Sequence, residues 1–362
     1  MIIENNIKNV FKTVFVIIGT IIGAGFASGQ EIYTFFNRYG INGLIGIFIS
    51  IFLIGFIIWK TFNIVLKNNI NNYNDFISYI MPNKISSTKI AKDSISNIIN
   101  IFLLISFNIM VAGFATYFMQ ELNISKWFGA IIIAMLSFIT FSKSIEGVIK
   151  INTYLIPTLI LLIIFLGIKK INHIDLINIS VESKSSYWIL SSILYTSYNS
   201  ISLIPILIGL KKYIIRKNEV KLTSIFTVII MLILSITIFL LLNLFLPEIK
   251  RIEIPIIYIA NTLGHFFKYV YGIVILIAIF TTAVSSGYGF LSNITKDKKT
   301  YNIISFMMCT FSVLVGQMSF SKLVNLLYPI FGYLGIVQII FLLIKQNNLK
   351  NKYRFDINKI TK

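Results

Sequence analysis

The sequence predicts an all-α integral membrane protein of about ten transmembrane helices, built as two inverted five-helix halves whose leading helices, the first and sixth, are broken. Three observations carry this expectation. The 362 residues are 56% hydrophobic and only 12% charged, with a mean hydropathy of +0.84, whereas a soluble domain carries about 25% charged residues. Ten apolar runs approach the roughly 20 residues that a span needs. Two of those runs, about 177 residues apart, carry polar or glycine-rich interruptions in mid-span.

The runs fall near 10–36, 43–66, 96–120, 127–142, 149–168, 187–210, 222–246, 268–291, 302–318 and 323–344, the fourth and ninth being short. The N-terminal MIIENNIKNVFK leads straight into the first run without a cleavage-site pattern, so it does not read as a removable signal peptide. With the N-terminus placed in the cytoplasm, 23 of the 32 Lys and Arg residues fall in inner segments and 9 in outer ones. That asymmetry predicts a multi-pass protein of the cell membrane with both termini cytoplasmic, the last segment being a basic tail over 346–362. Trp59, Trp127 and Trp188 fall at span ends, as an interfacial aromatic belt requires. The net charge of +19 would suggest nucleic acid in a soluble protein. Here the basic residues sit in short loops, so the charge reads as topology and no nucleic-acid partner is expected.

The first interruption is at Gly23–Gly25, and the second lies in LYTSYNSISLIPIL, residues 194–207. Adding 177 to the starts of spans two to five lands near 220, 273, 304 and 326, close to the starts of spans seven to ten. The chain therefore reads as a first repeat over 1–185 and a second over 186–345. Five spans is an odd number, so the second half enters the membrane upside down, the inverted layout of many secondary transporters. Long connectors follow spans two and seven. Their apolar runs, DFISYIM and IPIIYIANTL, suit surface helices or gates.

The stretch GTIIGAGFASGQE, Gly19 to Glu31, resembles the first helix of the amino acid–polyamine–organocation superfamily, which shares the LeuT fold. Its GAGFASGQE core is similar to the opening of the YkvI-type bacterial membrane proteins. The resemblance implies a 5+5 inverted repeat around a small-molecule site at the bilayer midplane. Backbone unwound in a membrane must line a cavity or be buried in protein, where it becomes a ligand set. Half-helix N-termini present N–H groups to an anion. Gly23, Ala24, Gly25 and Phe26 are accordingly the expected contacts for a substrate carboxylate. The competing reading is small-residue helix packing through Gly19-x-x-x-Gly23 and Gly25-x-x-x-Gly29.

The sixth span offers Tyr195, Tyr198, Asn199 and Ser200 as further substrate contacts, although it lacks the glycine common at this break in such transporters. Interhelical hydrogen bonds are the alternative for these groups. On the eighth span Ala278, Thr281 and Thr282 share one helix face. This spacing resembles the sodium-site face of LeuT-like transporters, which implies Gly19 and Ile22 as the matching first-helix carbonyls. Thr hydroxyls that bond back within their own helix are the competing reading. In the family fold the third span faces the substrate cavity, which makes Asn108 a candidate contact. Glu31 is the one carboxylate that falls within a span, and an intramembrane acid is a functional candidate by default. It is expected to carry a coupling proton, bind a substrate amine, or pair with Arg38 seven residues on.

No H-E-x-x-H, Walker loop or Cys/His cluster is present. Cys309 stands alone in an apolar run, His173 lies in an outer loop and His265 before span eight. An enzyme, a bound cofactor and a metal other than a coupling ion are therefore not expected. The expected function is secondary active transport, or symport, of an amino acid or similar small solute coupled to Na+ or H+. The alternative is a ligand-sensing receptor on the same fold. Oligomeric state is open.

Overall fold

The computed structural model describes residues 2–82, 89–141, 146–170, 186–250, 252–295 and 297–345. The basic tail 346–362, Lys143 and His173 lie outside the described residues. Every regular element among the described residues is helical. The first apolar run is built from three pieces: α1 (Ile2–Ile21), α2 (Ala24–Ala27) and α3 (Gln30–Phe35). Then come α4 (Ile41–Lys67), the short α5 (Tyr73–Ile80), α6 (Lys89–Leu122), α7 (Lys126–Phe141) and α8 (Glu146–Lys170). The rest of the chain forms α9 (Trp188–Leu210), α10 (Lys217–Leu244), α11 (Leu246–Ile249), α12 (Pro255–Asn261), α13 (His265–Ile294), α14 (Lys298–Val315) and α15 (Phe320–Ile344).

All ten apolar runs fall on helices. Six described helices, α4, the 97–122 part of α6, α9, α10, α13 and α15, are long and apolar enough to cross a membrane. The outside of the bundle is apolar. Phe52, Met135, Phe306, Phe311 and Leu326 are exposed on it, the pattern of helices whose outer faces meet hydrocarbon. Trp59 and Trp127 are exposed near the ends of α4 and α7. The two connector runs form the short helices α5 and α12.

Local chemistry explains the broken first span. Gly23 is extended, with φ −84° and ψ −172°, a conformation open to any residue, and it separates α1 from α2. Gly29 has φ +86° and separates α2 from α3. A residue with a Cβ is strained there, so glycine at this position is a backbone requirement. α3 ends at Phe35 and a 3₁₀ turn, Asn37–Tyr39, follows before α4.

The predicted break in the sixth span is absent. α9 runs without interruption from Trp188 to Leu210. The polar side chains that suggested loosened backbone instead bond carbonyls of their own helix. Ser197 Oγ donates to Ile193 O (2.7 Å), Asn199 Nδ2 to Tyr195 O (3.0 Å), Ser200 Oγ to Ser197 O (2.7 Å) and Ser202 Oγ to Asn199 O (3.0 Å). Pro205 removes one N–H, the usual partner of the Ile201 carbonyl, and the helix continues through it. α9 packs tightly on α15, because Gly332 and Gly335 let that helix lie against the backbone of Leu194 and Ser197.

Candidate functional site

The site is assembled where the broken first span meets α9 and α13. The left-handed turn at Gly29 sends the chain back so that Glu31, in the first turn of α3, lies against α2. Its carboxylate accepts from the Phe26 backbone N–H and from the Tyr198 hydroxyl on α9. Gly25 makes this approach possible, since a Cβ there would collide with the Glu31 side chain, 2.9 Å from its Cγ. Ser28 Oγ ties the turn by donating to Gly25 O (2.9 Å), and Tyr271 on α13 donates to Ala27 O (2.7 Å).

Glu31 is only 2% exposed. It has no ion pair with a cationic side chain among the described residues. The expected Arg38 partner is not engaged. α3 stops at Phe35, so residues 31 and 38 do not share a continuous helix face. Aromatic rings surround the carboxylate instead. Tyr198 stacks between Phe35 (centroids 5.6 Å apart) and Tyr328 of α15 (4.9 Å), and Tyr195 meets Tyr198 (5.6 Å), Phe35 (5.5 Å) and Phe36 (5.0 Å) edge-on. The Tyr195 hydroxyl is fully buried beside the Asn199 side chain.

The expected substrate-carboxylate contacts, Gly23, Ala24, Gly25 and Phe26, do form the N-terminus of a helical segment. The Phe26 N–H, however, is already held by the protein's own carboxylate. Tyr195 and Tyr198 reach this centre, whereas Asn199 and Ser200 bond their own helix. Asn108 on α6 donates to Leu104 O (2.8 Å), and its Oδ1 is buried without a partner.

The candidate cation residues are partly brought together. Thr282 on α13 faces the break, since a Cβ on Gly23 would lie 4.0 Å from its Oγ1 and 3.8 Å from its Cγ2. Thr281 and Thr282 both donate back to Ala278 O, at 3.1 and 2.8 Å. A hydroxyl that donates in this way keeps lone pairs for a cation. The Gly19 and Ile22 carbonyls have both lost their ordinary helical donors. The Gly23 N–H turns to Ile21 O (3.0 Å), and the Phe26 N–H turns to Glu31. Gly19 also packs directly on Ile156 of α8, so the packing reading holds for its Cα face. No cluster of His, Cys, Asp or Glu side chains suited to a transition metal occurs among the described residues.

A second polar centre, not expected from the sequence, caps one end of the broken span. Glu253, in the connector before α12, accepts from the Phe320 N–H (2.7 Å), the Ser321 N–H (3.3 Å) and Thr116 Oγ1 (3.4 Å), and lies 3.8 Å from Lys126 Nζ. Gln120 Oε1 receives the Glu253 and Ile254 N–H groups (3.0 and 3.1 Å). Gln30 Nε2 donates to Ile252 O and Glu253 O (3.2 and 3.0 Å). One connector is thereby pinned to α3, α6, α7 and α15. The only sequence signal was one of two acids, Glu248 and Glu253, inside a connector already read as a gate.

The fold is shared with a membrane transporter of known structure. The chain matches a Na+-coupled sialic acid symporter, in its substrate-bound outward-open state, with a TM-score of 0.53 at 14% identity, over 90% of this chain and 75% of that one. In sequence the chain is homologous to the membrane protein YkvI of Bacillus subtilis (strain 168), 25% identical over 347 residues that cover 92% of this chain and 94% of that protein. It is also homologous to the protein YyaD of the same organism, 26% identical over 338 residues covering 92% and 96% of the two chains. No protein-family model matches the chain. The resemblance first carried by GAGFASGQE thus extends over nearly the whole sequence, and the protein is a multi-pass helical membrane protein.

Proposed function

We propose that the protein is a secondary active transporter of a small solute, which it moves by alternating access around the interruption of the first span. One observation carries this reading: the chain breaks at Ile22–Gly23 in the middle of an apolar helix, and the break is enclosed by α9 and α13 rather than by lipid. Unwound backbone has a place in a membrane only where it is buried in protein or lines a cavity. The likeness in fold to a symporter supports the same reading. On it, the ten helical runs are spans, residues 1–185 and 186–345 are the two inverted halves, and both termini, including the tail 346–362, face the cytoplasm.

The solute site then comprises Gly23, Ala24, Gly25, Phe26, Asn108, Tyr195, Tyr198, Asn199 and Ser200, and takes an amino acid or a compact solute resembling one. Coupling has two candidate sources. A Na+ ion would be held by the carbonyls of Gly19, Ile22 and Ala278 with the hydroxyls of Thr281 and Thr282, five oxygens of the kind a hard cation prefers. A proton would be carried by Glu31. The glutamate-capped connector would act as a gate over the site.

The test is counterflow in proteoliposomes. Protein reconstituted with unlabelled solute inside should accumulate the labelled solute from outside. Ligand binding without exchange would overturn the transporter reading and leave a ligand-sensing receptor on this fold.

A further inference from the structure

The Glu31 centre is built for a positive charge. Four features coincide there. The carboxylate is buried and has no cationic side chain paired with it among the described residues. Two hydrogen bonds, from Tyr198 and Phe26, hold it in place but do not balance a full charge in a low-dielectric interior. Tyr198, stacked with Phe35 and Tyr328, and Tyr195, edge-on to it, form an aromatic cluster beside the carboxylate, and aromatic rings attract ammonium groups. The Tyr195 hydroxyl is buried beside the Asn199 side chain, and its oxygen keeps a lone pair for an ammonium N–H.

The same geometry works against a carboxylate-bearing solute. An incoming anion at the start of α2 would have to share that helix end with Glu31, which already takes the Phe26 N–H. It would also come directly against the Glu31 carboxyl group. An arriving ammonium meets the reverse situation, since it replaces the Tyr198 hydroxyl on Glu31 and pairs with its ionised form.

We propose that the Glu31 carboxylate, with the rings of Phe35, Tyr195, Tyr198 and Tyr328, binds the ammonium group of a compact organic amine, and that the solute recognised here carries no free carboxylate. This rests on the reading that the broken first span is the solute site, and it narrows that reading from amino acids to amines.

The experiment uses the purified full-length protein and three probes of one shape: L-alaninamide, a cation; L-alanine, a zwitterion; and N-acetyl-L-alanine, an anion. Thermal unfolding in detergent is followed with each, together with ethanolamine and putrescine as amines lacking any carboxyl-derived group. The cations should raise the unfolding temperature in a saturable way, and the zwitterion and anion should not. Glu31→Gln keeps an acceptor for the Phe26 N–H and removes the charge, so it should fold and weaken amine binding by roughly 30-fold or more. Stabilisation by L-alanine but not L-alaninamide, or an amine response unchanged in E31Q, would overturn the proposal. Counterflow run with the stabilising probe separates the two claims. Exchange of a zwitterion sinks the amine assignment alone, and amine binding without exchange sinks the transporter reading alone.

Discussion

The Tyr198 hydroxyl donates to the Glu31 carboxylate, joining two residues 167 positions apart across the interrupted first span. This bond links α9 to α3, and it places a buried acid at the point where the backbone is least regular. It is the contact that any solute entering the break must replace or share.

Tyr198→Phe removes the bond and keeps the stacks with Phe35 and Tyr328. A hydrogen bond to a charged group contributes about 1.5–3 kcal/mol, so the unfolding midpoint of the detergent-solubilised protein should fall measurably. A midpoint equal to wild type would show that Glu31 has another partner of equal strength.

The glycines of the motif should separate by role. Gly25→Ala places a methyl on the Glu31 side chain and should abolish counterflow. Gly29→Ala forces a Cβ into the left-handed region at φ +86° and should destabilise by roughly 1–2 kcal/mol. Gly23→Ala meets only ordinary contacts with Thr282, 3.8 Å away, and should fold normally. Equal damage from all three would mean that the stretch is merely a tight packing seam.

Replacing both Thr281 and Thr282 with Ala tests the cation site. If these hydroxyls hold Na+ with the released Gly19 and Ile22 carbonyls, Na+-dependent stabilisation or uptake should be lost while the helix persists. A wild-type Na+ response in the double variant rejects the site.

Coupling through Glu31 gives a different signature. Uptake driven by an imposed pH gradient should fall to background in Glu31→Gln, and a Na+ gradient should not rescue it. Persistent pH-driven uptake would remove Glu31 from the coupling path.

Glu253→Ala should release the connector from Phe320, Ser321, Thr116 and Lys126 together. The expected result is faster thiol labelling of a cysteine introduced at Ser28, beneath the connector, in a Cys309→Ser background. Glu253→Gln, which keeps an acceptor, should show a smaller increase. Labelling rates equal to the parent would show that the connector is held elsewhere.

Much of the scaffold was legible before folding. The apolar runs marked where helices form, because composition alone decides whether a segment of about 20 residues prefers lipid. The break at Gly23 was legible too, because clustered glycines weaken a helix locally, whereas the second interruption, the left-handed turn at Gly29, was not expected. The sixth span was misread for an equally local reason. Ser, Asn and Pro in mid-helix are compatible with loosened backbone and with side chains that bond their own helix, and in α9 the second holds. Glu253 was missed because nothing in its neighbourhood says that residues from four other helices converge on it.

By itself, the sequence determined the solvent this chain folds in, the positions of its helices and the interruption at Gly23, all of which follow from hydrophobicity and backbone freedom along the chain. The tertiary structure decided what the break encloses. It set Glu31 on Phe26 and Tyr198 instead of Arg38, and it ringed that acid with aromatics. A buried acid is defined by its three-dimensional surroundings, and here those join near neighbours, Phe26 and Phe35, to Tyr195, Tyr198 and Tyr328 from more than a hundred positions away.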